Sequence, residues 1–302
     1  MSFLLYFAYF IVGQVALTLA LYMISFVMPK AAFAARSLAA YMALVVTASS
    51  GVVISIAMRL AGSGQSAQWA TGRVFKFLMA AATGITFEIE DPEKHLETVR
   101  PAVFVGNHQT ELDVLMLGCM FPKYCAVTAK KSLKSWPFLG WFMTLSGTVF
   151  IDRKNSSDAR AAMSKAAAEM KHLKQSVYLF PEGTRSYSKE PTLLPFKKGA
   201  FHLAVQAGVP IVPVVVANYS HVLYVKSFIF NSGKIPVKVL DPIPTSGLTA
   251  ADVDELTRST REVMLEELVA LSSKAQKRPM AVPSSNGGDG VVKASGAEAT
   301  LS

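Results

Sequence analysis

"VFVGNHQTELD", residues 103–113, is the stretch on which the reading of this chain turns. An apolar, β-rich run ends in Gly106 and Asn107, and a helical pattern begins near Thr110. Strand, tight turn and helix together form the unit from which α/β domains are built. The turn also holds His108, with Asp113 five residues on. A neutral imidazole can take a proton from a hydroxyl near neutral pH. A carboxylate on its other ring nitrogen fixes the tautomer and steadies the imidazolium that forms. On a straight helix such a pair would lie ~140° apart, so the two can meet only if His108 sits in the turn and Asp113 in the helix. The spacing fits equally a His and an Asp serving as separate polar groups of a turn.

Outward from this stretch the same alternation repeats. The strands predicted are 86–90, 102–107, 124–129, 148–152, 177–180, 211–217 and 237–241. Helices are predicted at 110–120, 136–145, 157–174, 198–207 and 251–271, the third capped by a Ser/Asn cluster and Asp158 and closed by Lys171 and Lys174. Pro210 and Pro213 suggest an edge or irregular place for the sixth strand. The expected fold is α/β, a sheet of about seven strands with flanking helices over residues 61–275.

Three further strand ends carry charge. "FPEGTRS" (180–186) offers Gly183 for close backbone approach, Thr184, and Arg185 for bidentate anion binding. Glu182 there would accept hydrogen bonds from a hydroxylated ligand or orient Arg185. "GTVFIDR" (147–153) ends in Asp152 and Arg153, and "TAKKSLKSWPFLGWFM" (128–143) sets Lys130, Lys131 and Lys134 beside an aromatic segment. Ligands of open α/β sheets gather at the carboxyl edge of the strands. Each stretch alone also reads as an ordinary turn or a solvated helix start. There is no G-x-S-x-G, Walker A or H-E-x-x-H pattern, so an acyl-serine, P-loop or zincin chemistry is not indicated. Without a Ser or Cys nucleophile, His108 would activate a substrate hydroxyl directly. No metal site is predicted, and Cys119 and Cys125 read as small buried residues.

The 302 residues carry a net charge of +9, with a mean hydropathy of +0.35. A basic and apolar chain points to a membrane surface or anionic ligands, and the absence of nucleic-acid-binding motifs argues against that class of partner. Residues 1–29 contain no Asp, Glu, Lys or Arg. Runs 3–28 and 37–58 would span ~39 and ~33 Å as helices, enough for a bilayer core of ~30 Å. Residues 1–60 therefore read as a membrane-anchoring apolar helical hairpin, crossing the bilayer or lying within one leaflet. The stretch 60–84 fits a helix at the membrane interface or a packing helix. The tail, 276–302, has the composition of a disordered segment.

In order and spacing, "NHQTELD", "GTVFIDR", "FPEGTRS" and "VPIVPVVV" (209–216) resemble the motif blocks of the glycerolipid acyltransferase family, and most closely its lysophosphatidate acyltransferases of the eukaryotic branch. The likeness runs from about residue 66 to 245, with the N-terminal runs and the tail outside it. It implies His108 and Asp113 as the catalytic pair. It implies that Arg153, Glu182, Gly183, Thr184 and Arg185 hold a phosphoglycerol head, with Lys130 and Lys131 at the rim. The implied substrates are acyl-CoA, as co-substrate rather than cofactor, and lysophosphatidate, with membrane lipids around them. Acylation of glycerol 3-phosphate or another lysophospholipid, or a non-catalytic lipid-binding scaffold, would be the alternatives. The implied location is a membrane, the endoplasmic reticulum, with the domain facing the cytosol.

Overall fold

The computed structural model describes residues 3–152 and 155–281. Arg153 and the tail from 282 lie outside the described residues.

Two helices open the chain, α1 (Phe3–Ile24) and α2 (Pro29–Leu60), with Pro29 in the first turn of α2, where its missing N–H costs nothing. The connector is shorter than predicted, because 29–36 already belongs to α2. Among the described residues, one helix, Lys30–Leu60, is long and apolar enough to cross a membrane; Tyr9–Ile24 is a shorter apolar stretch. The α/β domain grips α2 near both ends. Arg36 donates to the carbonyl of Phe230 at 2.7 Å, and Arg59 to that of Leu145. Between these ties run small buried residues, Ala43, Thr47, Ala48 and Ser55, while Tyr41, Val45, Val53 and Ile56 point outward. Gly51 lies so close to Phe142 and Thr71 that a Cβ there would meet them at 2.7 and 2.8 Å.

α3 (Ala67–Thr83) follows, burying Thr71, Phe75 and Met79 and ending at Gly84 in the left-handed conformation that favours glycine. It is thus a packing helix, although Phe77 stays exposed. Then come β1 (Ile85–Glu90), α4 (His95–Thr98), β2 (Val103–Gly106), α5 (Asp113–Met120), β3 (Cys125–Lys130), α6 (Leu139–Leu145), β4 (Val149–Ile151), α7 (Ser156–Leu173), β5 (Ser176–Leu179), α8 (Gly199–Ala207) and β6 (Ile211–Val216). A small ribbon, β7 (Leu223–Tyr224) with β8 (Ile229–Phe230), precedes β9 (Gly233–Val239) and α9 (Val253–Gln276). Asn155 caps α7 by accepting from the N–H groups of Ser157 and Asp158.

All seven predicted strands form one sheet, ordered β1-β9-β6-β2-β5-β3-β4, with every pairing parallel except β6–β9. Side chains alternate across it. Phe104, Tyr178, Val212 and Val214 pack toward α3 and α5, whereas Val103, Val105, Val177 and Ile211 pack toward α7, α8 and α9. The sixth strand is interior, not an edge, despite its prolines. Its pairing on the β9 side slips by one residue between the Val214–Val239 pair and the Ile211–Ile243 bridge. Pro213 sits at that bulge, accepting from Leu240 N–H, where a missing donor is tolerated. The ribbon β7–β8 was not predicted: two-residue strands leave no periodicity to read.

Candidate active site

β2 and β5 are the neighbouring strands whose outgoing connections diverge, from β2 toward β3 on one side and from β5 toward β6 on the other. A crevice at the carboxyl ends of such strands is the usual ligand position. At the end of β2, Gly106 is required by its neighbour: a Cβ would stand 1.9 Å from the Tyr178 hydroxyl. Asn107 then prolongs the ladder with its side chain, donating to the carbonyl of Val216 at 3.0 Å and accepting its N–H at 2.8 Å. Gln109 donates to the carbonyls of Val216 and Ala217. The turn is thereby fixed to β6 before the helix begins.

His108 lies in that turn and Asp113 at the start of α5, the arrangement the five-residue spacing demands. His108 Nδ1 is 2.6 Å from Asp113 Oδ2. Asp113 is fully buried, and the same oxygen accepts the N–H groups of Gln109 at 2.6 Å and Thr110 at 3.2 Å. Its other oxygen accepts the Tyr219 hydroxyl at 2.7 Å. A buried carboxylate held by four donors cannot swing away. Donation from Nδ1 to the carboxylate places the imidazole proton there and leaves Nε2 free to accept one. Phe180 stacks on the ring at 4.1 Å and 17°. Burial and the Asp113 charge push the Tyr219 phenol well above its ordinary pKa, so it remains a donor.

Glu182 has a different place from the one expected. It is buried, and its two oxygens accept the N–H groups of His108 at 2.7 Å and Leu194 at 3.0 Å. It braces the His108 turn and orients the backbone rather than Arg185. Burial raises its pKa to about 7, against the pull of those two N–H groups. Gly183 needs its glycine, with φ at +69° and the Lys197 side chain 2.8 Å from where a Cβ would be. Beyond Thr184, Arg185 meets Glu111 Oε1 at 2.8 Å and the Tyr187 hydroxyl at 3.1 Å. Ser186 N–H donates to the carbonyl of His108 at 2.9 Å, joining the β5 loop to the β2 turn. The structure thus brings His108, Asp113, Glu182 and the 183–185 loop together. Lys130 ends β3 and Lys131 follows it, separated from β2 by β5, and Lys131 is paired with Asp152 and Asp158.

Asn107, Gln109, Tyr187 and Tyr219 were not singled out from sequence. The first two stand inside "NHQTELD" but are ordinary polar turn residues until a partner strand is known. Tyr219 lies 106 positions from the carboxylate it binds, and nothing local marks it.

An acyltransferase family model matches residues 87–217, which contain all of this machinery except Tyr219. A 1-acyl-sn-glycerol-3-phosphate acyltransferase of Saccharomyces cerevisiae is 44% identical over 77% of this chain and 76% of its own length. The human beta form is 42% identical over 68% of this chain and 71% of its own length. This chain belongs to the acyltransferase family. The fold of the acyltransferase also matches the crystal structure of a 1-acyl-sn-glycerophosphate acyltransferase from Thermotoga maritima, with a TM-score of 0.60 and 24% identity over 87% of this chain and 97% of that one.

Proposed function

We propose that this acyltransferase moves an acyl group from acyl-CoA to the sn-2 hydroxyl of 1-acyl-sn-glycerol 3-phosphate, giving phosphatidate. The observation that carries the reading is the His108–Asp113 contact of 2.6 Å inside a saturated, buried network. His108 Nε2 removes the hydroxyl proton as the oxygen attacks the thioester carbonyl. The carbon–oxygen bond forms, the carbon–sulfur bond breaks, and the imidazolium returns its proton to the leaving thiolate. Asp113 holds the positive charge in the interval. Arg185 and the Gly183–Thr184 backbone bind the acceptor phosphate, with Arg153 as a second cation. Lys130 and Lys131 supply positive potential toward two anionic substrates. The names of the yeast and human relatives support lysophosphatidate over glycerol 3-phosphate as acceptor.

The substrates live at a membrane, and α2 supplies the seat. Its ties to the domain at Arg36 and Arg59 favour a helix lying along one leaflet. A span held at both ends would drag the β7–β8 ribbon or α6 into the hydrocarbon. The reading places the domain on the cytosolic face of the endoplasmic reticulum, where acyl-CoA is available. An acceptor screen on purified protein in detergent, with labelled acyl-CoA, tests the function. Transfer to lysophosphatidate ahead of glycerol 3-phosphate and other lysophospholipids is expected, and no transfer to any acceptor would leave a lipid-binding scaffold.

A further inference from the structure

Arg185 is held from one side only. Its NH1 donates to Glu111 Oε1 and to the Tyr187 hydroxyl, and that hydroxyl donates to the same Glu111 oxygen at 2.6 Å. Three groups close a small ring about one corner of the guanidinium. On the other side, Nε is buried and has no partner among the described residues. A guanidinium is a rigid planar fork, so fixing one corner fixes where the remaining donors point.

The ring is itself anchored to the catalytic turn. Tyr187 takes a φ of +46°, a conformation a non-glycine residue holds only where its surroundings impose it. Its N–H donates to the carbonyl of Gln109 at 3.1 Å, beside the Ser186–His108 bond. Glu111 comes from the same turn, between His108 and Asp113. The direction of Arg185 is therefore set by residues rigidly joined to the base.

We propose that Glu111 and Tyr187 are positioning residues for the acceptor. They hold Arg185 by NH1, so that the accessible remainder of its partly exposed guanidinium is presented to the acceptor's phosphate in register with His108. Glu111 makes this subsite selective by geometry rather than by charge, since its carboxylate offsets much of the Arg185 field. The inference rests on the reading that Arg185 takes the acceptor phosphate.

Steady-state kinetics on the full-length enzyme in detergent test it, with lysophosphatidate and acyl-CoA each varied at saturating levels of the other. Glu111→Ala removes the charge-assisted anchor and should raise the lysophosphatidate KM about tenfold, a typical loss for one such bond. The acyl-CoA KM should stay within about twofold. Glu111→Gln keeps an acceptor oxygen and should recover most of the loss, which a general packing defect would not do. Tyr187→Phe should fall between wild type and Glu111→Ala. In an Arg185→Ala background, Glu111→Ala should add nothing, because the two act as one unit. Glu111 is half exposed, so these variants should fold. If Arg185→Ala raises the lysophosphatidate KM but Glu111→Ala leaves it unchanged or lowers it, Glu111 is a bystander or a competing anion and the inference fails. If Arg185→Ala raises only the acyl-CoA KM, the phosphate assignment itself is wrong and the inference goes with it.

Discussion

β2 and β3 end on the same edge of the same sheet, and their polar residues could hardly be treated more differently. At the end of β2 the side chains turn inward: Asn107, Gln109 and Asp113 are buried, and each is hydrogen-bonded to a partner far off in sequence or across the turn. At the end of β3, Lys131 reaches into solvent and shares two carboxylates, at 3.3 and 3.6 Å. A place on the carboxyl edge is thus not enough to make a catalytic site. What distinguishes β2 is desolvation combined with saturation, which makes each polar contact strong and each loss expensive. Exposed pairs are screened and contribute little.

The largest effect should follow from removing the base. His108→Ala should lower kcat by ~10²- to 10⁴-fold, the usual contribution of a general base, with a circular dichroism spectrum like wild type. Asp113→Asn should lose most of the rate too, and should also destabilise, since its amide would set N–H groups against the donors of Gln109 and Thr110. Near-normal turnover in folded His108→Ala would end both the mechanism and the contrast between the strand ends.

Glu182 comes next. Its folded pKa of about 7 lies above the ordinary carboxyl value of 4.5. Between those values the folded state holds a proton that the unfolded chain has released, so the contribution of Glu182 to stability is fully present below pH ~4.5 and is lost as pH rises toward ~7. At 1.36 kcal/mol per unit the full decline is about 3 kcal/mol. Glu182→Gln cannot titrate, and one of its two N–H partners would face an amide NH₂. Its stability should be offset downward yet lack this slope. Denaturant unfolding of both proteins from pH 4.5 to 8 measures the difference, and parallel curves would show that the slope arises elsewhere.

A smaller effect is expected at Tyr219, which touches no substrate in the proposed reaction. Tyr219→Phe leaves Asp113 with three donors, also removes the hydroxyl's two contacts with Thr110, and should cost ~1.5–3 kcal/mol of stability, the range for a bond to a charged group. The kcat should fall several-fold while both KM values hold. A KM change would mean that Tyr219 reaches the substrate.

How far the sequence foretold all this depends on the range of the interactions. The seven sheet strands and the flanking helices were readable because each writes its own period into a contiguous run. The His108–Asp113 contact was one of two readings its five-residue spacing allowed, and the structure shows the arrangement that contact needs, His108 in the turn and Asp113 in the helix. Glu182 was placed on the substrate by the resemblance; its burial depends on Leu194 and on β5 lying beside β2. Tyr219 needed the β2–β6 pairing, and the interior place of Pro213 needed a bulge whose other half is at Leu240. Sheet order is a property of the whole chain, and no single stretch contains it.

The smallest predicted effect is the one that tests the contrast most finely. Lys131 was expected at the rim of the substrate site, yet its side chain is 58% exposed and shared between Asp152 and Asp158. Those two carboxylates, Asp158 first, hold the ammonium above its ordinary pKa, so it is charged at any working pH. Acting only through the long-range field, Lys131→Ala should raise the acyl-CoA KM by no more than about threefold at low ionic strength, and the rise should vanish at 0.5 M salt, where the Debye length is only a few ångströms. Thermal stability should barely move, because exposed pairs of this kind are nearly neutral. Measuring KM for each substrate across a salt series separates the two roles of a lysine. An effect that fades with salt keeps Lys131 as a source of field. A rise of tenfold or more that persists at high salt requires direct contact with the substrate, and the end of β3 would then belong to the binding site as fully as the end of β2.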